Sequence, residues 1–166
     1  MKLKIFCMTV KNLKIIEKLP NYIVPFGLGN FEYPNNWLKE NSGENISHLN
    51  KFFGEASGMY WLWKNYMSNF KKDEWIGFCQ YRRLWLNDLF ESKQKTNISS
   101  LYSNLLNPNN EIFSECNAIL LQPTIISRRN LNSEFESIYG DNTISKCVDF
   151  VDEKNKKDFK EFLKGH

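Results

Sequence analysis

Residues Gly43 to Arg83 read GENISHLNKFFGEASGMYWLWKNYMSNFKKDEWIGFCQYRR and hold three of the five tryptophans. Leu49, Phe52, Phe53, Ala56, Met59, Tyr60, Trp63 and Met67 recur there at steps of three and four, the helical period. Ser47 stands where an N-cap hydroxyl would accept one of the unpaired N–H groups of a first turn. The spacing therefore predicts one capped amphipathic helix, and at about 100° per residue Glu55 falls on the flank of its apolar stripe. After the polar turn Lys71 to Glu74 comes Trp75-Ile76-Gly77-Phe78-Cys79, an uninterrupted apolar run that suits a strand covered on both faces.

Such strands belong to α/β sheets, whose ligands bind beyond the carboxyl ends of the strands. Gln80, Tyr81, Arg82 and Arg83 follow this strand directly and so fall at the edge where ligands are expected. Neighbouring side chains on an extended chain point opposite ways, so one of the two arginines can offer a bidentate fork to a phosphate or carboxylate. A surface ion pair with Glu74 or Asp88 is the other reading. Glu55 is similarly either a working carboxylate or a solvated flank residue paired with a lysine.

Outward from this centre, Leu3 to Thr9 reads as the first central strand, closed by the polar turn Val10-Lys11-Asn12. Pro20, Pro25, Gly27, Gly29 and Pro34 punctuate the next stretch, with room for a short strand at Tyr22 to Val24. Trp37 to Ser42 is a polar approach to Gly43, and Asn45 suits turn chemistry that would orient the loop. Beyond Arg83, Leu101 to Leu106 allows a helical turn or two. Asn117 to Pro123 (NAILLQP) reads as a third strand, and Ser133 to Tyr139, Thr143 to Val151 and Asp158 to Leu163 as helices.

At 166 residues, 42% hydrophobic and 15% aromatic, the chain is sized for one domain, residues 1–166, with a real core. Twenty-two basic against 19 acidic residues give a net charge of +3, too mild to imply nucleic acid. Cys7, Cys79, Cys116 and Cys147 have no CxxC spacing and no neighbouring histidine, which argues against zinc and for a reducing compartment. The basic start has no cleavable signal pattern, and no window approaches the length of a membrane span. There is no GxGxxG, no Walker loop and no Asp-x-Asp pair; near Asp88 only Glu91 could join it on a divalent cation.

GENIS (Gly43 to Ser47), MYWLWKN (Met59 to Asn65) and IGFCQYRR (Ile76 to Arg83) resemble, in order and spacing, motifs of a glycosyltransferase-like family of bacterial capsular and exopolysaccharide biosynthesis. Members of that family carry patterns close to GDNIS, a Glu before LYWxWKN, and YIGLCHYRR. The resemblance runs from about Lys4 to the C-terminus. Two departures stand out: Glu44 replaces an Asp, and Gln80 replaces a His, so position 80 keeps a hydrogen bond but cannot titrate near neutral pH. The chain also ends short of that family's usual C-terminal region.

The resemblance implies a single three-layer, Rossmann-like α/β domain of the nucleotide-sugar transferase (GT-A-like) type, truncated at its C-terminus. It implies hexose transfer from a nucleotide-sugar donor to a surface polysaccharide acceptor in the cytoplasm, with peripheral association at the inner face of the membrane. Under it Thr9 and Lys11 line the nucleotide, and Arg82 or Arg83 serves the diphosphate. Glu55 positions sugar hydroxyls or acts as base, Trp61 and Tyr81 stack on sugar or base, and an arginine partly replaces the charge of a Mn or Mg cation. A non-catalytic module that binds a sugar nucleotide or a partner, and an inactive fragment, are the alternatives.

Overall fold

The computed structural model, which describes residues 2–87, 98–121, 131–142 and 146–164, opens with strand β1 (Lys2–Thr9). Leu3, Ile5 and Cys7 are buried on one side of it and Phe6 and Met8 on the other, which is why the run shows no alternation. Strands β2 (Ile23–Gly27), β3 (Leu38–Lys39) and β4 (Glu74–Gln80) complete a parallel sheet of order β3-β2-β1-β4. The molecule is thus a mixed α/β protein. Pro25 is accommodated in β2 because β3 pairs only with Phe26 and Gly27 and asks no N–H of it.

Register puts the carboxyl ends of all four strands on one edge: Thr9 pairs with Gly27, Gly27 with Lys39, and Met8 with Gln80. The chain steps from β1 out to β2 and β3, then returns across β1 to lay β4 on its other side. Between β1 and β4 the winding reverses. In open parallel sheets that is the point where a crevice forms.

The helix of the central stretch is broken where one was expected. A 3₁₀ turn (Ser47–Leu49) leads into α1 (Asn50–Phe53), and α2 (Glu55–Asn65) starts anew after Gly54, whose φ of 52° and ψ of −129° lie in a region that residues with a Cβ rarely enter. Ser47 does not cap the helix; its hydroxyl donates to Asn45 Oδ1 (2.8 Å) and Asn30 Oδ1 (3.0 Å). The buried face is also different from the one the apolar spacing predicts. Ser57, Gly58, Trp61 and Leu62 face the sheet, while Phe52, Phe53, Met59, Trp63 and Met67 are exposed. Gly58 is the reason: a Cβ there would lie 2.5 Å from Leu28 Cδ2 and 3.2 Å from Phe26, so only glycine lets α2 sit this close. The resulting core joins Phe6, Met8, Phe26, Leu28, Trp61 and Leu62.

Helices α3 (Ile98–Ser103) and α4 (Ile112–Glu115) follow, with Leu86 bridged to Leu105 and Phe113 edge-on to Trp75 at 5.0 Å. The chain divides into two compact units, Met1–Asn117 and Ala118–His166. The expected strand at Asn117 to Pro123 is not formed over 117–121, and 122–123 lie outside the described residues; Leu120 and Leu121 are 86% and 67% exposed. An apolar run becomes a strand only where a sheet edge receives it, and among the described residues 117–121 pair with none. The second unit has helices Leu131–Tyr139 and Glu153–Lys164 and a 3₁₀ turn Val148–Phe150. Of the helix expected from Thr143 to Val151, residues 143–145 lie outside the described set. Among the described residues no helix is long and apolar enough to cross a membrane.

Candidate functional site

The carboxyl edge between β1 and β4 gathers several of the residues singled out in the sequence. Gln80, the last residue of β4, donates from Nε2 to Glu55 Oε1 at 2.6 Å. Glu55 reaches it because it is the first residue of α2, and the break at Gly54 turns the helix start toward the sheet edge. Both side chains are half-buried. An amide donor fixes the orientation of the carboxylate oxygen that accepts from it.

Beyond Gln80 the chain turns at once. Arg83 N–H donates to Gln80 O at 2.9 Å and Gln80 N–H to Arg83 O at 3.3 Å, while Tyr81 N–H reaches Met8 O at 3.4 Å on β1. Arg82 lies over the Tyr81 ring, its guanidinium carbon 5.2 Å from the centroid. Arg82 and Arg83 are exposed, and among the described residues neither pairs with a carboxylate. Glu74 pairs instead with Lys2 at 3.5 Å, and Asp88 lies outside the described residues.

At the end of β1 Thr9 is buried, and its hydroxyl accepts from Lys11 N–H (2.9 Å) and donates to Lys11 O (2.8 Å). That turn delivers Lys11 to the surface. Tyr33 braces the same strand end, donating to Thr9 O at 3.1 Å and Leu28 O at 2.7 Å. Burial pushes the Tyr33 hydroxyl up to about 12, with the Glu40 carboxylate adding to the rise.

Trp61, expected to stack on sugar or base, has another place. Trp61 is in the core, 5.2 Å from the Phe26 ring, with its indole N–H donating to Ser42 O at 2.5 Å. A ring so enclosed offers no face for stacking on sugar. Asn45 serves its own turn, donating to Gly43 O and accepting from Ser47. The motifs GENIS and MYWLWKN are in fact two halves of one latch. Asn65 accepts from Glu44 N–H (3.0 Å) and donates to Glu44 O (2.8 Å), while Tyr60 OH and Lys64 Nζ meet Glu44 Oε1 at 2.8 and 3.0 Å. The bonds from Lys64 and Tyr60 hold the Glu44 carboxyl below its usual value, and the same carboxylate raises Tyr60 and Lys64.

Glu40 and Asn50, which the sequence reading passed over, complete the setting. Glu40 is fully buried just after β3, and its Oε2 accepts from Gly29 N–H at 2.6 Å and from Asn50 Nδ2 at 3.3 Å. Asn50 could have been noticed, since Asn is ill suited to a helix interior and Gly54 lies four residues on. Nothing in the polar stretch around Glu40 marks it. Among the described residues no three His, Cys, Asp or Glu side chains are grouped as for a metal ion.

No curated protein matches the chain. A solved structure titled as the apo form of the WbbM bifunctional glycosyltransferase is similar at 26% identity and a TM-score of 0.40, over 92% of this chain and 22% of that one. The chain thus spans less than a quarter of that protein's length. The model of a family described as a domain of unknown function, DUF4422, matches residues 4–165, and the chain belongs to that family.

Proposed function

We propose that this domain is a Rossmann-like, GT-A-like glycosyltransferase that moves a hexose from a nucleotide-sugar donor to a bacterial surface polysaccharide. The observation that carries the reading is the Glu55–Gln80 contact of 2.6 Å at the carboxyl edge, beside the reversal of strand order. The three sequence motifs that resemble glycosyltransferase-like proteins supply Gln80, the latch on Glu44 and the two arginines after β4, and Glu55 matches the Glu that precedes the second motif in the resembled family.

The chemistry asks two things of such a site. Negative charge grows on the departing nucleoside diphosphate, and an acceptor hydroxyl must be held near the anomeric carbon. Arg82 or Arg83 answers the first, in place of the charge a divalent cation supplies elsewhere, and Lys11 and Tyr81 flank the nucleotide. Glu55 answers the second. With one oxygen held by Gln80, its carboxylate orients a hydroxyl or takes the proton as the bond forms. The reaction belongs at the cytoplasmic face of the membrane, where nucleotide sugars are made and acceptors grow.

The test is release of nucleoside diphosphate from a panel of nucleotide sugars with saccharide acceptors, with and without manganese. Glu55→Gln is expected to lower turnover about a hundredfold while donor binding persists. Turnover unchanged in that variant would contradict the role of Glu55. Gln80, where the resembled family has a titratable His, favours a second reading as a binding module; donor binding without turnover in the unmodified chain would select it.

A further inference from the structure

A buried carboxylate stands behind the one at the edge. Glu40 is fully buried, and among the described residues no cation pairs with it. Among the described residues its Oε1 has no hydrogen-bond partner, and its bonds run through Oε2, to Gly29 N–H and Asn50 Nδ2. Placing a carboxylate where water cannot reach it is costly, and removing such a group's partners costs more. The bonds it does make therefore constrain their donors strongly.

Asn50 passes that constraint on. Besides Glu40, its amide nitrogen donates to Gly54 O at 3.0 Å and Ser57 Oγ at 2.8 Å, and Ser57 donates in turn to Gly54 O at 2.8 Å. Gly54 N–H closes the loop on Asn50 O at 2.7 Å. Three of these bonds, from Asn50 Nδ2, Ser57 Oγ and Gly54 N–H, meet at the backbone break, while the two protons of the Asn50 amide are shared among Gly54 O, Ser57 Oγ and the more distant Glu40 Oε2; the residue after the break is Glu55. At φ 52° and ψ −129° Gly54 has few steric limits of its own, so the direction in which α2 departs is set from outside.

We infer that Glu40 and Asn50 are positioning residues, which fix the Gly54 break so that the Glu55 carboxylate meets the Gln80 amide. The inference rests on the reading of Glu55 as the working carboxylate of the site. A displacement of about 1 Å at such a group is enough to lower turnover steeply while leaving ligand affinity nearly intact.

The side-chain amide signals of Gln80 in the 166-residue chain, assigned with Gln80→Leu, report the contact directly. Glu55→Ala defines their position when the contact is broken. Asn50→Asp keeps the size of the side chain but replaces its donor by an acceptor facing Glu40; it is expected to move the signals more than half way to the Glu55→Ala position. Donor turnover should fall about tenfold with donor affinity changed less than about twofold. Glu40→Gln, which retains an oxygen for Gly29 and Asn50, is expected to keep the signals near their original place. Asn50→Ser gives the same readout should Asn50→Asp fail to fold. Signals that respond to Glu55→Ala but stay put in both Asn50 variants overturn the positioning role alone. Signals indifferent to Glu55→Ala overturn the contact, and with it both this inference and the site reading beneath it.

Discussion

Glu55 and Gln80, 25 positions apart in sequence, meet at 2.6 Å because a helix start and a strand end converge on one sheet edge. Gln80→His places a titratable donor on that carboxylate, which favours the protonated imidazole and raises its pKa above the usual value of about 6.5. The sign follows: the added stability is present in full below about pH 6.5 and is lost as pH rises through the raised value. An NMR titration of the variant should show the elevated pKa. An ordinary value would mean that the two side chains do not meet in solution.

The latch on Glu44 should open in acid. Its carboxyl is held below the usual value by Lys64 and Tyr60, so the stabilisation is present above the ordinary range for glutamate and is lost as pH falls through the lowered one. Protection of residues 43–46 against hydrogen exchange, taken relative to the intrinsic rate at each pH, is expected to fall there, and Asn65→Ala, which removes two bonds to the Glu44 backbone, should lower it at all pH values and cost about 1–3 kcal/mol. Unchanged exchange in the Asn65 variant would argue that the latch is idle.

Tyr33 governs the alkaline side. Its hydroxyl is neutral in the fold up to about pH 12, against an unfolded value of 10.0. Stability is therefore complete below about pH 10 and declines as pH rises toward 12. Tyr33→Phe should lessen this decline, to which Tyr22 and Tyr60 also contribute, while costing about 1–2 kcal/mol at neutral pH for the Leu28 carbonyl it leaves without a donor; Thr9 O keeps the Leu28 N–H. Chemical denaturation at pH 8 and pH 11 distinguishes the two proteins.

Gly58 sets the distance of α2 from the sheet. Gly58→Ala forces Leu28 and Phe26 aside and is expected to destabilise by about 1–3 kcal/mol, seen as a lower thermal midpoint. A neutral effect would mean that the helix rides farther out than the core contacts indicate.

These sites show what a sequence discloses. Strand β1 is legible because both its faces are buried, which leaves an uninterrupted apolar run; β4 carries a similar run, but it is only half-buried, with Phe78 exposed and Cys79 alone fully covered, so the expectation of a strand covered on both faces fails there. Placing Gln80 to Arg83 at the carboxyl edge followed from that, and Glu55 was noticed as a lone acid beside aromatic residues. The face of α2 was misread because glycine and serine, which permit the closest approach to the sheet, carry no hydrophobic signal, whereas exposed Trp63 and Met59 do. Two-residue β3 is too short to have a period. Glu40 owes its importance to partners 10 and 11 positions away, Asn50 and Gly29, and such pairings are not written in local spacing. The NAILLQP run has a strand's composition, yet among the described residues 117–121 pair with no strand.

The most direct measurement of the central claim is calorimetric titration of the 166-residue chain with nucleotide sugars, repeated on Arg82→Ala and Arg83→Ala. One donor should bind, and at least one of the two substitutions should weaken it by about 1.5–3 kcal/mol. A well-folded chain that binds none of these donors, or binds one with both arginines dispensable, would contradict a donor site at the edge between β1 and β4.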